Sequence, residues 1–165
     1  MRHHRFRLGH RLAAVLLAVT AAVIPPVAAR SSDQTPSVSP APQATPAQLM
    51  AALERAWTAG DTNAIASLCD SATVRIALKP GAPPASAPTL NAVAFLIHDQ
   101  LDLVVSRQFY VVRLDTNEKK RTAKAWASWH GTWGGGKGAR DIEVVLAARA
   151  TADGAWLLTE IRAND

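Results

Sequence analysis

The chain has 165 residues, 48% of them hydrophobic, with 18 Lys and Arg against 13 Asp and Glu. Four of those cations and no acid lie in residues 1–29, so the remainder holds 14 basic against 13 acidic side chains and lacks the charge excess that drives nucleic-acid binding. A single cysteine, Cys69, excludes an intramolecular disulfide.

Residues 1–11 contain Arg2, Arg5, Arg7 and Arg11, and Leu12 to Ile24 is an apolar run of thirteen. Val27-Ala28-Ala29 then offers small residues for a processing site. This is the anatomy of a secretory signal peptide over residues 1–29, cut after Ala29, and it implies a periplasmic or secreted protein. The run is short for a bilayer span, which takes about 20 residues. Membrane contact therefore arises only if the segment is kept as an anchor. No Arg-Arg pair is present, which favours the general export route, and His3, His4 and His10 leave with the signal. Residues 30–44 are Ser, Pro, Gln, Thr and Ala with almost no large apolar side chain, so they read as a disordered linker. Residues 45–165 have the size of one domain.

That domain opens with Thr45-Pro46-Ala47-Gln48, a capping box with proline at the first helical position. Leu49, Met50, Leu53 and Trp57 recur every three or four residues and form one apolar stripe. Gly60 ends this helix and Asp61 caps a second, whose apolar side holds Ala64, Ile65, Leu68 and Cys69. The period then changes to two, with Val74, Ile76 and Leu78 on one side of a first strand. Lys79 to Pro88 is a proline-rich loop, and a third helix runs from Thr89 to Leu101 with Leu90, Val93, Ala94, Ile97 and Leu101 inward. Strands are expected over 106–115, 122–133, 140–151 and 156–163, joined by connectors short enough to demand antiparallel pairing. Helices followed by a meander make an α+β domain.

The run Ala56-Trp57-Thr58-Ala59-Gly60-Asp61, with Ile65-Ala66-Ser67-Leu68 and Ala72-Thr73-Val74, resembles the opening of NTF2-like domains, the superfamily that includes the ketosteroid isomerases. The resemblance implies a cone in which N-terminal helices pack on a curved antiparallel sheet, and homodimers that form through that sheet. It also makes isomerase chemistry testable. The position of that family's general base falls on Ile76, and that of its oxyanion-stabilising tyrosine on Leu53. Neither side chain can move a proton or donate a hydrogen bond.

Other candidate sites fail on their chemistry. Gly131 to Gly138 (GTWGGGKG) matches G-x-x-x-x-G-K, yet Gly138 stands where a P-loop needs Ser or Thr, and a strand pattern follows instead of a helix. Lys119-Lys120-Arg121 with Lys124 reads as a solvated hairpin, with an anionic-partner patch as the alternative. His98 and Asp99 are adjacent and diverge, so they form no dyad, and no metal-ligand spacing or cofactor motif is present. The tryptophan-rich strand is the remaining signal. Alternation places Trp126, Ser128 and His130 on one face and Trp129 and Trp133 on the other. Trp126 and His130, with Tyr110, are expected to line the cone and hold a small apolar ligand. Trp129 and Trp133, among small neighbours, are expected to form a protein-partner or dimer surface, the plainer alternative being that the tryptophans pack in the core and one is incidentally exposed. The expectation is a non-catalytic exported domain binding a small apolar ligand in its cone or a protein partner through its sheet. A cone-cavity enzyme and a membrane-anchored envelope scaffold are the alternatives.

Overall fold

The computed structural model describes residues 42–133 and 138–164. The signal-peptide reading, most of the linker and the centre of the glycine cluster lie outside those residues. Helix α1 spans Pro46–Ala59. The Thr45 hydroxyl accepts the Gln48 N–H at 3.2 Å, and the Gln48 side chain reaches back to the Ala44 N–H rather than to that of Thr45. Gly60, at φ 68°, closes the helix in the left-handed region that suits glycine. Asp61 caps α2, Thr62–Ser67, by accepting the Ala64 N–H at 2.9 Å. Cys69 lies past the end of α2, where it pairs in parallel with Leu158 as a single bridge and is buried.

The strands are β1 Arg75–Ala77, β2 Ala85–Ser86, β3 Val104–Asn117, β4 Thr122–Trp133, β5 Gly138–Ala150 and β6 Trp156–Asn164, with α3 over Leu90–Leu101 between β2 and β3. They form one six-stranded sheet in the order β2-β1-β6-β5-β4-β3. The meander β3 to β6 is antiparallel, but β1 joins β6 in parallel, which makes the curled sheet mixed. Two further details depart from the sequence reading. The proline-rich loop contains β2, which pairs with β1 through Ile76 and Ala85. Leu90 is 47% exposed, because it sits in the first turn of α3, ahead of the stripe Val93, Ile97 and Leu101 that is buried.

One core joins the three helices with β1 and β3 to β6. Leu49, Leu53 and Trp57 of α1 are fully buried, together with Ile65, Val93, Ile97, Leu146, Leu158 and Ile161. On β4 the burial alternates strictly: Ala123, Ala125, Ala127, Trp129 and Gly131 are buried, and the residues between them are half-buried or exposed. Gly131 completes the pattern. A Cβ there would stand 2.5 Å from Val104 Cγ1 and 3.3 Å from Trp133 Cζ3, so any side chain would displace Val104 from its place in the core.

Candidate functional site

The helix-facing side of the sheet is filled by aromatic rings. Trp57 of α1 stacks on Phe109 of β3, with centroids 4.4 Å apart and planes at 18°. It meets Trp129 of β4 edge-on at 5.3 Å and 80°, and Trp129 in turn lies 5.2 Å from Trp133. Trp57 Nε1 is buried without an acceptor among the described residues. One turn earlier on α1, a Glu54 carboxylate oxygen accepts the Val111 N–H at 2.5 Å, where the β3 register slips between Val111 and Arg113. Since β3 is an edge strand, Glu54 satisfies a backbone donor that no neighbouring strand can reach. The Glu54 carboxylate is thus engaged in structure.

This arrangement corrects the assignment of the two faces of β4. Trp129 is 1% exposed and sits against Trp57, so it belongs to the core and cannot form a partner surface; Trp133 packs against the same cluster. Trp126 and His130 point away from α1, and Tyr110, directly across from Ser128, joins them on the outer face. They do not line the cone. Alternation fixes which residues share a face, but only the docking of α1 decides which face is covered.

The outer face has its own organisation. His130 Nδ1 lies 2.8 Å from Asp141 Oδ1, directly across the β4–β5 ladder. Glu143 accepts the Asn164 side-chain amide at 3.0 Å. Arg113 and Lys124 each stand 4.8 Å from the centre of the Trp126 ring, and Arg113 donates twice to Asp115, at 3.0 and 2.6 Å. Beside this cluster Val112 is 67% and Tyr110 49% exposed. Val112, Trp126, Ser128, Asp141 and Glu143 line a shallow groove of about 280 Å³.

No family model matches the chain, and no curated protein matches its sequence. Solved structures do match. One, from Catenulispora acidiphila, is a hypothetical protein with a ketosteroid isomerase-like fold in complex with trimethylamine. It superposes with a TM-score of 0.56 at 11% identity, over 71% of this chain and 84% of that one. A candidate dehydratase of the NTF2-like family from Streptomyces avermitilis gives 0.55 at 17% identity, over 72% and 92%. A candidate calcium/calmodulin-dependent protein kinase type II association domain from Thiobacillus denitrificans gives 0.56 at 21% identity, over 73% and 94%. The domain has the NTF2-like fold. At these identities the likeness establishes the architecture and carries no activity with it.

Within this NTF2-like cone the positions that bear isomerase chemistry are apolar and buried: Leu53 is fully enclosed in α1 and Ile76 lies in β1. Gly138 opens β5 rather than a helix, so among the described residues the position after Lys137 lacks the helix N-terminus that a P-loop needs. Among the described residues no three His, Cys, Asp or Glu side chains gather as a metal set, and no helix is long and apolar enough to cross a membrane.

Asp70 is the one charged side chain in the buried class among the described residues. Its Oδ2 accepts from Arg149 Nε at 3.0 Å and Nη2 at 2.5 Å, and its Oδ1 accepts the Ala72 N–H at 3.1 Å. Burial works to raise this carboxyl. Hydrogen bonds from Arg149, Thr73 and Ala72, with the Arg149 charge, outweigh it and hold the pKa below the ordinary carboxylate value. Next to it, burial and the Asp70 charge push the Cys69 thiol up to about 12, which leaves it protonated and unreactive at neutral pH. Sequence order gives no hint of the Asp70–Arg149 pair, whose members lie 79 residues apart. The only local signal is an Asp two residues before the N–H it binds, at the end of α2.

Proposed function

We propose that this protein is an exported, non-catalytic NTF2-like domain that works by docking through the outer face of its sheet, in the first instance onto a second copy of itself. The observation that carries the reading is the contrast between the faces. The inner face is closed by Trp57, Phe109 and Trp129, whereas the outer one presents Tyr110 and Val112 at 49 and 67% exposure near the half-buried Trp126, with Val105 at 59% exposure farther along β3 opposite Thr132. Exposed apolar side chains gathered on one strand are what an interface covers. Charge complementarity favours a second copy as the occupant. Most outer-face charges are matched within the face, Arg113 with Asp115, His130 with Asp141, and Arg75 and Arg162 with Glu160, while Lys124 lies over Trp126 without a carboxylate partner among the described residues. Two such faces can meet without like-charge repulsion. The Thiobacillus denitrificans neighbour, whose name is that of an association domain, is consistent with this use of the fold.

Sedimentation velocity over a wide concentration range tests the proposal. The protein is expected to dimerise, and Val112→Glu and Tyr110→Glu are expected to shift it to monomer without lowering the melting temperature. A monomer at every concentration, or dimers indifferent to both substitutions, would remove the reading. A small apolar ligand inside the cone finds less support, since stacked rings occupy that space.

A further inference from the structure

A second groove, of about 700 Å³, crosses the same outer face at the end where the β3–β4 and β5–β6 hairpins lie, adjoining the proposed docking surface at Lys124 and Trp126. Its lining comes from four strands and from Thr73 in the turn ahead of β1. Asn117, Thr122 and Arg149 form one cross-strand row, Asp115, Lys124 and Ala147 form the next, and Thr159 joins from β6. Ala147 is short between the long side chains of Lys124 and Arg149, and this makes a trough of an otherwise regular ladder.

The chemistry of that trough is specific. Thr122 and Thr159 make no side-chain hydrogen bond among the described residues, so their hydroxyls are available to a ligand. Asn117 accepts the Lys120 N–H through its oxygen, which orients its NH₂ group as a donor. Arg149 is held by the buried Asp70 through Nε and Nη2, so it is positioned before any ligand arrives. Lys124 has no carboxylate partner within salt-bridge distance among the described residues and lies over Trp126. The hairpin segment from Arg113 to Lys124 holds five cations against two acids, and the Ala150 N–H donates to Arg121 O at 3.0 Å, tying the second hairpin to it. Lys124 and Arg149 are the cations that line the groove, beside the carboxylate of Asp115, which Arg113 holds.

We infer that this groove binds an acidic saccharide, a ligand that combines carboxylates with many hydroxyls. Lys124 and Arg149 would receive a carboxylate through charge-assisted bonds, and Thr122, Thr159 and Asn117 would meet the neighbouring hydroxyls. Stacked nucleobases do not suit the site. Its lining contains no aromatic ring, and the nearest, Trp126, already has Arg113 and Lys124 over it.

The test is calorimetric titration of the full chain with hexagalacturonate, with maltohexaose as the neutral match and inorganic hexametaphosphate as the polyanion without hydroxyls. Hexagalacturonate is expected to bind with an affinity that falls as salt rises, and maltohexaose is expected not to bind. Lys124→Gln should weaken binding about tenfold, as loss of one charge-assisted contact does. Thr122→Val with Thr159→Val should weaken it several-fold and leave the salt dependence unchanged. Lys79→Gln, an exposed cation beyond the far end of β1, should have no effect, and melting curves confirm that each variant is folded. Absence of hexagalacturonate binding would overturn the inference. So would equal binding of hexametaphosphate with the threonine variants unaffected, or a loss at Lys79 matching that at Lys124; either result would reduce the groove to general polyelectrolyte attraction. Sedimentation of the same samples keeps this outcome separate from dimerisation.

Discussion

The pair Asp70–Arg149 ties the end of α2 to β5, and its energetics follow from unequal burial. The Asp70 side chain is 11% exposed and the Arg149 side chain 49%, so the carboxylate bears most of the desolvation and the guanidinium keeps much of its water. Arg149→Ala would leave a buried carboxylate short of two donors. The expected loss is about 1–3 kcal/mol, at the lower end because the lost partner is half-solvated. The sign of the pH dependence follows from the depressed Asp70 pKa. The contribution is present above the unfolded carboxyl value of about 3.9 and disappears as pH falls through the lower folded value. Denaturant melts should therefore show wild type and Arg149→Ala well separated at pH 7 and converging below pH 4. A constant gap across that range would mean the pair acts through packing alone.

At the scale of the element, β4 shows how one strand serves two environments. Ala125, Ala127 and Trp129 face α1, and Lys124, Trp126, Ser128 and His130 face outward. Removing the Trp129 ring would open a cavity beside Trp57 and is expected to cost about 3–5 kcal/mol, in the range of buried aromatic truncations. Trp126→Ala is expected to cost under about 2 kcal/mol, since its ring is half-exposed and its contacts are cations held at the surface. Chemical denaturation of the two variants decides this. The reverse order would mean that α1 does not seat on Trp129 in solution. The edge strand β3 depends on a different device. Its 14 residues are interrupted by two register shifts, and Glu54 covers one of them. Bulges and a helix-borne carboxylate together restrain a long edge from pairing with foreign strands.

For the whole molecule, the functional proposals place the work on the outer sheet surface and leave the cone as a packed core. Export is the remaining part of the proposed reading, and it rests on Arg2 to Arg11, the apolar run Leu12 to Ile24 and the small residues before Arg30. Cleavage after Ala29 should leave Arg30 as the first residue, and the intact mass of the exported protein would report it. Recovery of the full-length chain in the membrane fraction would instead support an anchored scaffold. The described domain begins no later than Gln43, whose carbonyl accepts the Trp156 N–H at 2.8 Å and so holds the entering chain at the start of β6.

Local patterns in the sequence determined α1, its caps, the α3 stripe and the four long strands, because capping residues and the 3.6 and 2.0 periodicities act within a few residues. They also determined which side chains of β4 travel together. Tertiary structure alone decided which of its faces is buried, since Trp129 is interior only through the rings of Trp57 and Phe109, 72 and 20 residues away. It likewise decided the parallel entry of β1 beside β6, the pairing of β2, and the meeting of Asp70 with Arg149. Each of these depends on contacts between segments distant in the chain, where the gain comes from packing and desolvation that no local pattern encodes.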